Sequence, residues 1–505
     1  MESDTESGVG KELYDYQKKA LHRIFDRLAA RKETFNLLFQ LPTGGGKTVI
    51  FSEIARRYIQ QTGKKVMILT HRIELSAQTS RMLDTFTVKN KVITSEVKDL
   101  DDQDDFDCFV AMVETLNNRL NDEAFEMKDI GLVIIDEAHY NSFGKLLKFF
   151  DESTILGVTA TPLSSNVTLP MNENYDELIV GESIQSLVDM SYLAKAKTYA
   201  YDLNLTSLNI GINGDYTVRS SDELYTDHTM QSRLLGAYQD HAEGKKTLIF
   251  NNGINTSLYV YDTFQKAGYD IRHLDNKNTA AERRDILQWF KETPNAILTS
   301  VGILTTGFDE PTVESIILNR ATRSLTLYFQ MIGRGSRILG NKREFSVIDL
   351  GNNVARFGLW EAFVNWEHVF KNPEMHLNAI RSDEEIQREF KYKMPIELRE
   401  RFKNSDVIDF DIAAEYDRLV KMGERPKAVI DLSVDQHVKI CVENAEDLWD
   451  AKELAGLLGD EIEYRARKYS HCLASTTKNY VSWLQDEYKR KLNVRLIQEY
   501  QLVNN

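Results

Sequence analysis

Cysteine is scarce in this sequence. Cys108, Cys441 and Cys472 are the only three in 505 residues, and none stands in a CxxC pair. Neither a disulfide framework nor a structural zinc site can be read from that spacing, and a reducing compartment is the expectation. Long apolar runs are missing as well. No stretch approaches the roughly 18 apolar residues of a membrane span. The opening Met1–Gly8 is acidic and polar with no apolar h-region behind it, so no signal peptide is expected. A cytoplasmic location without membrane contact follows as the expectation. Positive charge is also short: Lys and Arg number 62 against 77 Asp and Glu, a net −15. That balance disfavours binding to nucleic acid through simple basic excess, although a local basic groove can sit within an acidic surface.

What is present can build several cores. Hydrophobic residues make up 42% and aromatic residues 10%, too rich for a disordered chain, and the length predicts two or three domains. Up to about residue 350 one pattern recurs: a short apolar run, a polar or glycine-containing turn, then a helical stretch. The runs are Asn36–Phe39, Val66–Leu69, Cys108–Val110, Leu132–Ile135 and Ile155–Val158, then Thr247–Phe250, Ala296–Thr299, Ser315–Leu318 and Phe345–Ile348. Val-, Ile- and Leu-rich runs between amphipathic segments predict doubly wound α/β domains whose strands are covered on both faces. Two series predict two tandem parallel-sheet domains, over residues 12–190 and 191–350, behind a flexible arm at 1–11. Leu163–Ala196 lacks the rhythm and reads as the passage between them. From 351 to 505 the chain is charged, aromatic and helical in period. Amphipathic helices are predicted over Ile380–Phe402, interrupted at Pro395, and over Ala445–Tyr469.

In open parallel sheets, functional residues collect at the carboxyl ends of strands. Leu41-Pro42-Thr43-Gly44-Gly45-Gly46-Lys47-Thr48 follows one such strand and precedes the helical stretch Val49–Tyr58. Thr43, Gly44, Gly45 and Gly46 let backbone N–H groups turn inward around a β-phosphate. Lys47 adds charge for the β- and γ-oxygens, Thr48 a hydroxyl for Mg²⁺, and the helix N-terminus its dipole. ATP and Mg²⁺ are therefore the expected cofactors. Asp136-Glu137-Ala138-His139 ends the run Leu132–Ile135. There Asp136 is placed to hold Mg²⁺ through its water shell, and Glu137 to polarise the attacking water. Adjacent acids at a strand end are commonly just solvated, but their order and spacing behind a P-loop favour the chemical reading. Arg334 and Arg337, one helical turn apart in Gln330–Arg337, belong to the second series. A closing cleft can bring them onto the γ-phosphate.

Taken together, the motifs over about residues 12–350 resemble superfamily 2 helicases and translocases, whose cores are two tandem RecA-like domains. That resemblance implies that Tyr14 and Gln17, in Tyr14-Asp15-Tyr16-Gln17, contact adenine. It implies that Thr159-Ala160-Thr161-Pro162 couples hydrolysis to domain movement, with His139, Thr159, Thr161 and Gln330 as coupling residues. Thr305-Thr306-Gly307-Phe308-Asp309 is similar to the fifth motif, with Gly307 and Asp309 on the nucleotide side, and Gln330–Arg337 to the sixth. Leu41 in place of the first P-loop glycine is usual in helicase-type loops. DEAH, TATP and QMIGRGSR differ from the DEAD, SAT and HRIGR of DEAD-box RNA helicases. The stretch from Ile303 to Gln330 is similar to RadD-like proteins, mitochondrial branch-migration helicases and the motors of type I and III restriction enzymes. DNA is therefore expected over RNA. The chain departs from those groups in three places. Tyr14 stands where an arginine often packs on adenine, Met112 and Glu114 replace a threonine and a glutamine of a strand-contacting motif, and the tail lacks the RadD-type cysteine cluster. The tail also shows no nuclease carboxylate–lysine pattern.

A motor indifferent to sequence grips phosphates through hydroxyls, amides and a few cations. Thr70, His71 and Arg72 after the Val66–Leu69 run, and Asn251 with Asn252 after Thr247–Phe250, occupy the strand ends where such contacts are expected. In the tail, Trp360, Trp366, Tyr392, Trp449, Tyr469 and Trp483 read as core residues or as stacking platforms, and the tail is the candidate surface for a protein partner. An ATP-dependent helicase or translocase is the expectation. An RNA helicase, an RNA-sensing ATPase and a nucleic-acid-sensing switch that does not travel are the alternatives.

Overall fold

The computed structural model describes residues 12–30, 35–97, 99–121, 127–141, 143–164, 169–305, 308–389, 394–405, 408–473 and 480–503. The segment 1–11, Thr306, Gly307 and Tyr392, singled out above, lie outside the described residues. The chain divides into two compact units, 1–383 and 384–505.

The first unit holds two parallel sheets. Along the chain the first sheet is β1 (Asn36–Gln40), β2 (Lys65–Thr70), β3 (Asn90–Ile93), β4 (Cys108–Met112), β5 (Ile130–Asp136), β6 (Thr154–Thr159) and β7 (Glu177–Val180). Its spatial order is β3-β4-β2-β5-β6-β1-β7. The second is β8 (Lys195–Ala200), β9 (Thr247–Asn251), β10 (Ile271–Leu274), β11 (Ile297–Ser300), β12 (Ser315–Asn319) and β13 (Glu344–Asp349), ordered β10-β11-β9-β12-β13-β8. Each apolar run found in the sequence lies on a strand of these sheets. Central strands carry helices on both faces, so Leu132 to Ile135 of β5 and Ile316 to Leu318 of β12 are fully buried.

Four strands were not among the predicted runs: β3, β7, β8 and β10. All four are the end strands of their sheets with one neighbour each in the strand order, as in β7, which pairs with β1, and β8, which pairs with β13. Lys195-Ala-Lys-Thr-Tyr-Ala and Ile271-Arg-His-Leu have one covered face, and their polar residues mask the pattern. The passage expected over Leu163–Ala196 is correspondingly shorter. It carries β7, a helix at Ile184–Asp189 and the start of β8, leaving Met190–Ala194 as the crossing. Residues 351–383 belong to the first unit: Trp360 and Trp366 are buried in its core, against Phe345 and Phe329.

The second unit is helical throughout its described residues, with helices at Ile396–Arg401, Ile412–Lys421, Ala428–Asn444, Leu448–Leu457, Gly459–Cys472 and Tyr480–Val503. The amphipathic segment from Ala445 to Tyr469 is two helices, broken at Leu458–Gly459. Tyr469 is core, whereas Trp449 and Trp483 are exposed. Among the described residues no helix is long and apolar enough to cross a membrane.

A polar cluster lies inside this apolar bundle. His437 is fully buried, its Nδ1 is 2.9 Å from the Tyr488 hydroxyl, and its Nε2 is 3.5 Å from Glu461 Oε1. Burial holds its pKa at about 4, with Arg465 adding to the depression and Glu461 opposing it. The imidazole is therefore neutral when folded but takes a proton below about 6.5 when unfolded. The unfolded state binds more protons between those values, so stability falls as pH drops from 6.5 toward 4, by up to about 1.4 kcal/mol per pH unit. Hydrogen exchange of helices 428–444 and 480–503, followed from pH 7 to pH 5, is expected to accelerate beyond its intrinsic pH dependence. The His437→Gln variant should lose most of that slope.

Candidate active site

Strand β1 is buried and ends where the chain must reverse into the helix Lys47–Thr62. Gly44 and Gly46 make that reversal with φ of +87° and +82°, in the left-handed region. Side chains leave no room there either. A Cβ on Gly46 would lie 2.6 Å from Gln17 Nε2, and one on Gly44 2.8 Å from Leu193 Cδ2. The loop is held from outside by the Tyr16 hydroxyl, which donates to Gly45 O at 2.8 Å, while Gln17 Oε1 accepts from Tyr14 N at 3.0 Å.

This loop forms one wall of a cavity of ≈390 Å³, within the size range of small-molecule sites. From the first sheet domain come Thr43, Gly44, Gly46, Lys47, Thr48, Asp136 and Glu137, with Tyr14 just before the helix Asp15–Ala30 and Gln17 on it. From the second come Asp309, Arg334 and Arg337. Arg334 follows the helix Leu325–Gly333, whose last residue lies against the P-loop. A Cβ on Gly333 would be 2.7 Å from Thr43 Cβ, so only glycine permits that approach.

The charges in the cavity are arranged by sign. Asp136 is buried, and its Oδ1 accepts from Glu137 N at 2.9 Å. Burial, and next the Glu137 charge, push the Asp136 carboxyl up to about 7 against the pull of Lys47. Burial also pushes Glu137 up, but Lys47, then His139 and Arg334, outweigh it and hold that carboxyl below its ordinary value. Glu137 also stands in the left-handed region at φ +51°, a conformation that costs a non-glycine residue about 1 kcal/mol or more. On the other side, burial brings both Arg334 and Arg337 to about 10. Arg334 Nη1 donates to Phe308 O at 2.6 Å, and Arg337 forms an ion pair with Asp309.

Beside Glu137, a hydrogen-bonded chain runs from His139 toward the second sheet domain. His139 Nδ1 lies 3.4 Å from Glu137 Oε2 and 3.1 Å from Thr159 Oγ1. Thr159 donates its own proton to Thr161 O at 3.0 Å, so it accepts from His139 Nδ1–H. His139 Nε2 then accepts from Gln330 Nε2 at 3.1 Å. Burial favours the neutral ring that this tautomer requires. Thr161 Oγ1 reaches Thr326 Oγ1 at 2.9 Å, and Arg72 Nη1 reaches Ile303 O at 2.8 Å. Each of these pairs joins the first sheet domain to the second.

The residues expected to grip phosphates at the strand ends have the following surroundings. Thr70 is fully buried, bonded to Ser76 Oγ at 2.7 Å. Asn251 is equally buried: its Nδ2 donates to Thr299 Oγ1 and its Oδ1 accepts from Asn319, both at 2.8 Å. Both side chains satisfy interior polar groups. Asn252 ties Ser221 at 2.8 Å. His71 packs on Tyr140 with ring centroids 4.8 Å apart, and burial lowers it to about 4. Tyr192 is a lining residue that sequence reasoning missed. It lies in the crossing between the sheets, and no spacing in the sequence ties it to the P-loop.

Two parallel sheets that each contribute to one P-loop cavity define the class of RecA-like two-domain nucleotide enzymes. The match to known families agrees. Residues 10–164 match the type III restriction enzyme res subunit family and residues 229–339 the helicase conserved C-terminal domain. The chain belongs to superfamily 2 of the helicases, a family of ATP-dependent nucleic-acid enzymes. The protein carried under the name ATP-dependent helicase IRC3 in Saccharomyces cerevisiae is 30% identical over 371 residues, covering 67% of this chain and 51% of that protein. The type I restriction enzyme EcoAI endonuclease subunit of Escherichia coli is 22% identical, covering 66% of this chain and 45% of that one. The chain thus spans about half the length of these two relatives. Among solved structures, an HsdR-subunit fragment of a type I restriction enzyme from Vibrio vulnificus YJ016 superposes with a TM-score of 0.54 at 20% identity, covering 69% of this chain and 67% of that one. The type ISP restriction-modification enzyme LlaBIII bound to DNA does so at 0.52 and 15% identity, covering 97% of this chain and 42% of that one.

Proposed function

We propose that the protein hydrolyses ATP and uses the resulting opening and closing of its two sheet domains to move along duplex or branched DNA. The observation that carries this reading is the single cavity shared by Lys47, Thr48, Asp136 and Glu137 of one domain and Arg334 and Arg337 of the other. ATP lies with its phosphates on the P-loop, and Tyr14 and Gln17 meet the base. Thr48 and Asp136 suit Mg²⁺: both are hard oxygen donors on the cavity wall, and a divalent cation stabilises the ionised form of a carboxyl that burial pushes up. When bound, Mg²⁺ neutralises charge on the β- and γ-oxygens. Glu137 orients the attacking water, and the arginines stabilise the transferring phosphoryl group. Because His139 lies 3.4 Å from Glu137 and accepts a hydrogen bond from Gln330, a change at the γ-phosphate alters the contact between domains.

DNA as the track rests on the resemblance to restriction-enzyme motors. Steady-state ATP hydrolysis with duplex, forked and single-stranded DNA and with RNA tests it, with Glu137→Gln as control. Duplex or forked DNA is expected to raise the rate many-fold in the wild type and not in the variant. Stimulation by RNA alone would move the track to RNA. No stimulation by any nucleic acid would leave a switch activated by a partner as the better account.

A further inference from the structure

The nucleotide site touches an element outside its recognised motifs. The crossing from the first sheet domain to the second, Met190–Ala194, is short and tied at both ends. Tyr192 N and Leu193 N both donate to Leu187 O, at 2.8 and 3.1 Å, and Ala194 N donates to Ser336 O at 2.7 Å. Ser191 holds the left-handed conformation at φ +60° that turns the next side chain back. Tyr192 thereby meets two rings near the P-loop. Its centroid is 4.4 Å from that of Tyr14 and 5.0 Å from that of Tyr16. Tyr14 is 48% exposed, so this aromatic wall is open to a ligand, and both Tyr14 and Tyr192 line the cavity.

We propose that Tyr192 is a base-binding residue of this site, closing with Tyr14 as an aromatic clamp on the purine and passing base occupancy to the crossing between the domains. The inference rests on the reading of the cavity as an ATP site and goes beyond it. Rings 4.4 Å apart touch each other, so a base stacking on the inner face of either one displaces Tyr192. Tyr16 does not yield, because its hydroxyl is bonded to Gly45 O. The displacement is carried by the crossing, whose next residue, Leu193, packs where a Cβ of Gly44 would be, and whose Ala194 holds the segment bearing Arg334 and Arg337. Base binding and arginine placement are linked over a few residues.

The test compares full-length wild type, Tyr192→Ala and Tyr192→Phe for the KM and kcat of ATP and for inhibition by inorganic tripolyphosphate, which engages the phosphate cradle without a base. Tyr192→Ala is expected to raise the KM for ATP about tenfold, a typical loss for one stacked base, with inhibition by tripolyphosphate unchanged. Tyr192→Phe keeps the ring and is expected to behave as wild type. Equal KM values for wild type and Tyr192→Ala would overturn the inference while leaving the ATP reading intact. Parallel weakening of ATP and tripolyphosphate would also overturn it, because the damage would then lie in the cradle. A wild type that neither binds nor hydrolyses ATP would instead sink the reading of the site itself.

Discussion

Replacing Arg334 by alanine is expected to lower kcat for ATP by about 10³-fold, the lower end of the range for an arginine that stabilises the transferring phosphoryl group. The size of the effect follows from where the guanidinium stands. It is buried, is held by a hydrogen bond to Phe308 O, and faces the cavity that Glu137 lines from the other domain. Charge that develops beside a buried, fixed cation is stabilised with little reorganisation. Arg334→Lys keeps the charge but not the planar fork, so lysine should recover little. Ground-state binding depends mainly on the P-loop and on the base contacts, so KM should change far less than kcat. Arg334 also supports packing between the domains, and melting of the variant must therefore be compared with wild type. A well-folded Arg334→Ala protein with kcat within an order of magnitude of wild type would refute the assignment. Arg337, which is ion-paired with Asp309 and more exposed, should show a smaller loss.

The glycine loop after β1 and the carboxylate at the end of β5 were legible in the sequence because each depends on local chain geometry. Gly44 and Gly46 are needed where a strand turns into a helix with positive φ, and Asp136 ends a strand buried on both faces. Such features leave a signature within a few residues of themselves. The same holds for the nine apolar runs of the two sheets. Edge strands such as β8, with Lys195 and Lys197 on a ladder that has one neighbour, carry no comparable signal. Position along a strand was legible too, but direction was not. Asn251 stands at the end of β9, where a ligand contact was expected, yet its amide turns inward to Thr299 and Asn319. Nothing in Phe250-Asn251-Asn252 distinguishes the inward from the outward rotamer. Tyr192 was illegible for a stronger reason. Its place beside Tyr14 comes from the return of the chain after seven strands, a tertiary relation with no local pattern.

The second large effect is one of stability, in the helical unit. Arg465 is 1% exposed, forms an ion pair with Glu461 one turn earlier, and donates to Ser433 Oγ at 3.0 Å. Its guanidinium also lies over the Phe410 ring, 5.3 Å from the centroid. Helices 428–444, 459–472 and 480–503 thus meet through Ser433, Arg465 and Tyr488 inside an otherwise apolar core. Arg465→Ala is expected to destabilise this unit by about 3–5 kcal/mol, because Glu461 is left buried and charged with only neutral His437 nearby. Part of the loss returns if Glu461 takes a proton, so the variant should be less damaged at pH 5 than at pH 7, once the fall caused by His437 is subtracted. The double variant Arg465→Met with Glu461→Leu removes both charges and fills the space. It should recover most of the loss, since a buried pair replaced by apolar groups of similar volume is often neutral. Hydrogen exchange of helices 428–444 and 480–503 in the full-length protein reads the effect where it arises. If the single and double variants exchange equally fast, packing of the Arg465 stem, and not the uncompensated carboxylate, sets the stability of this core.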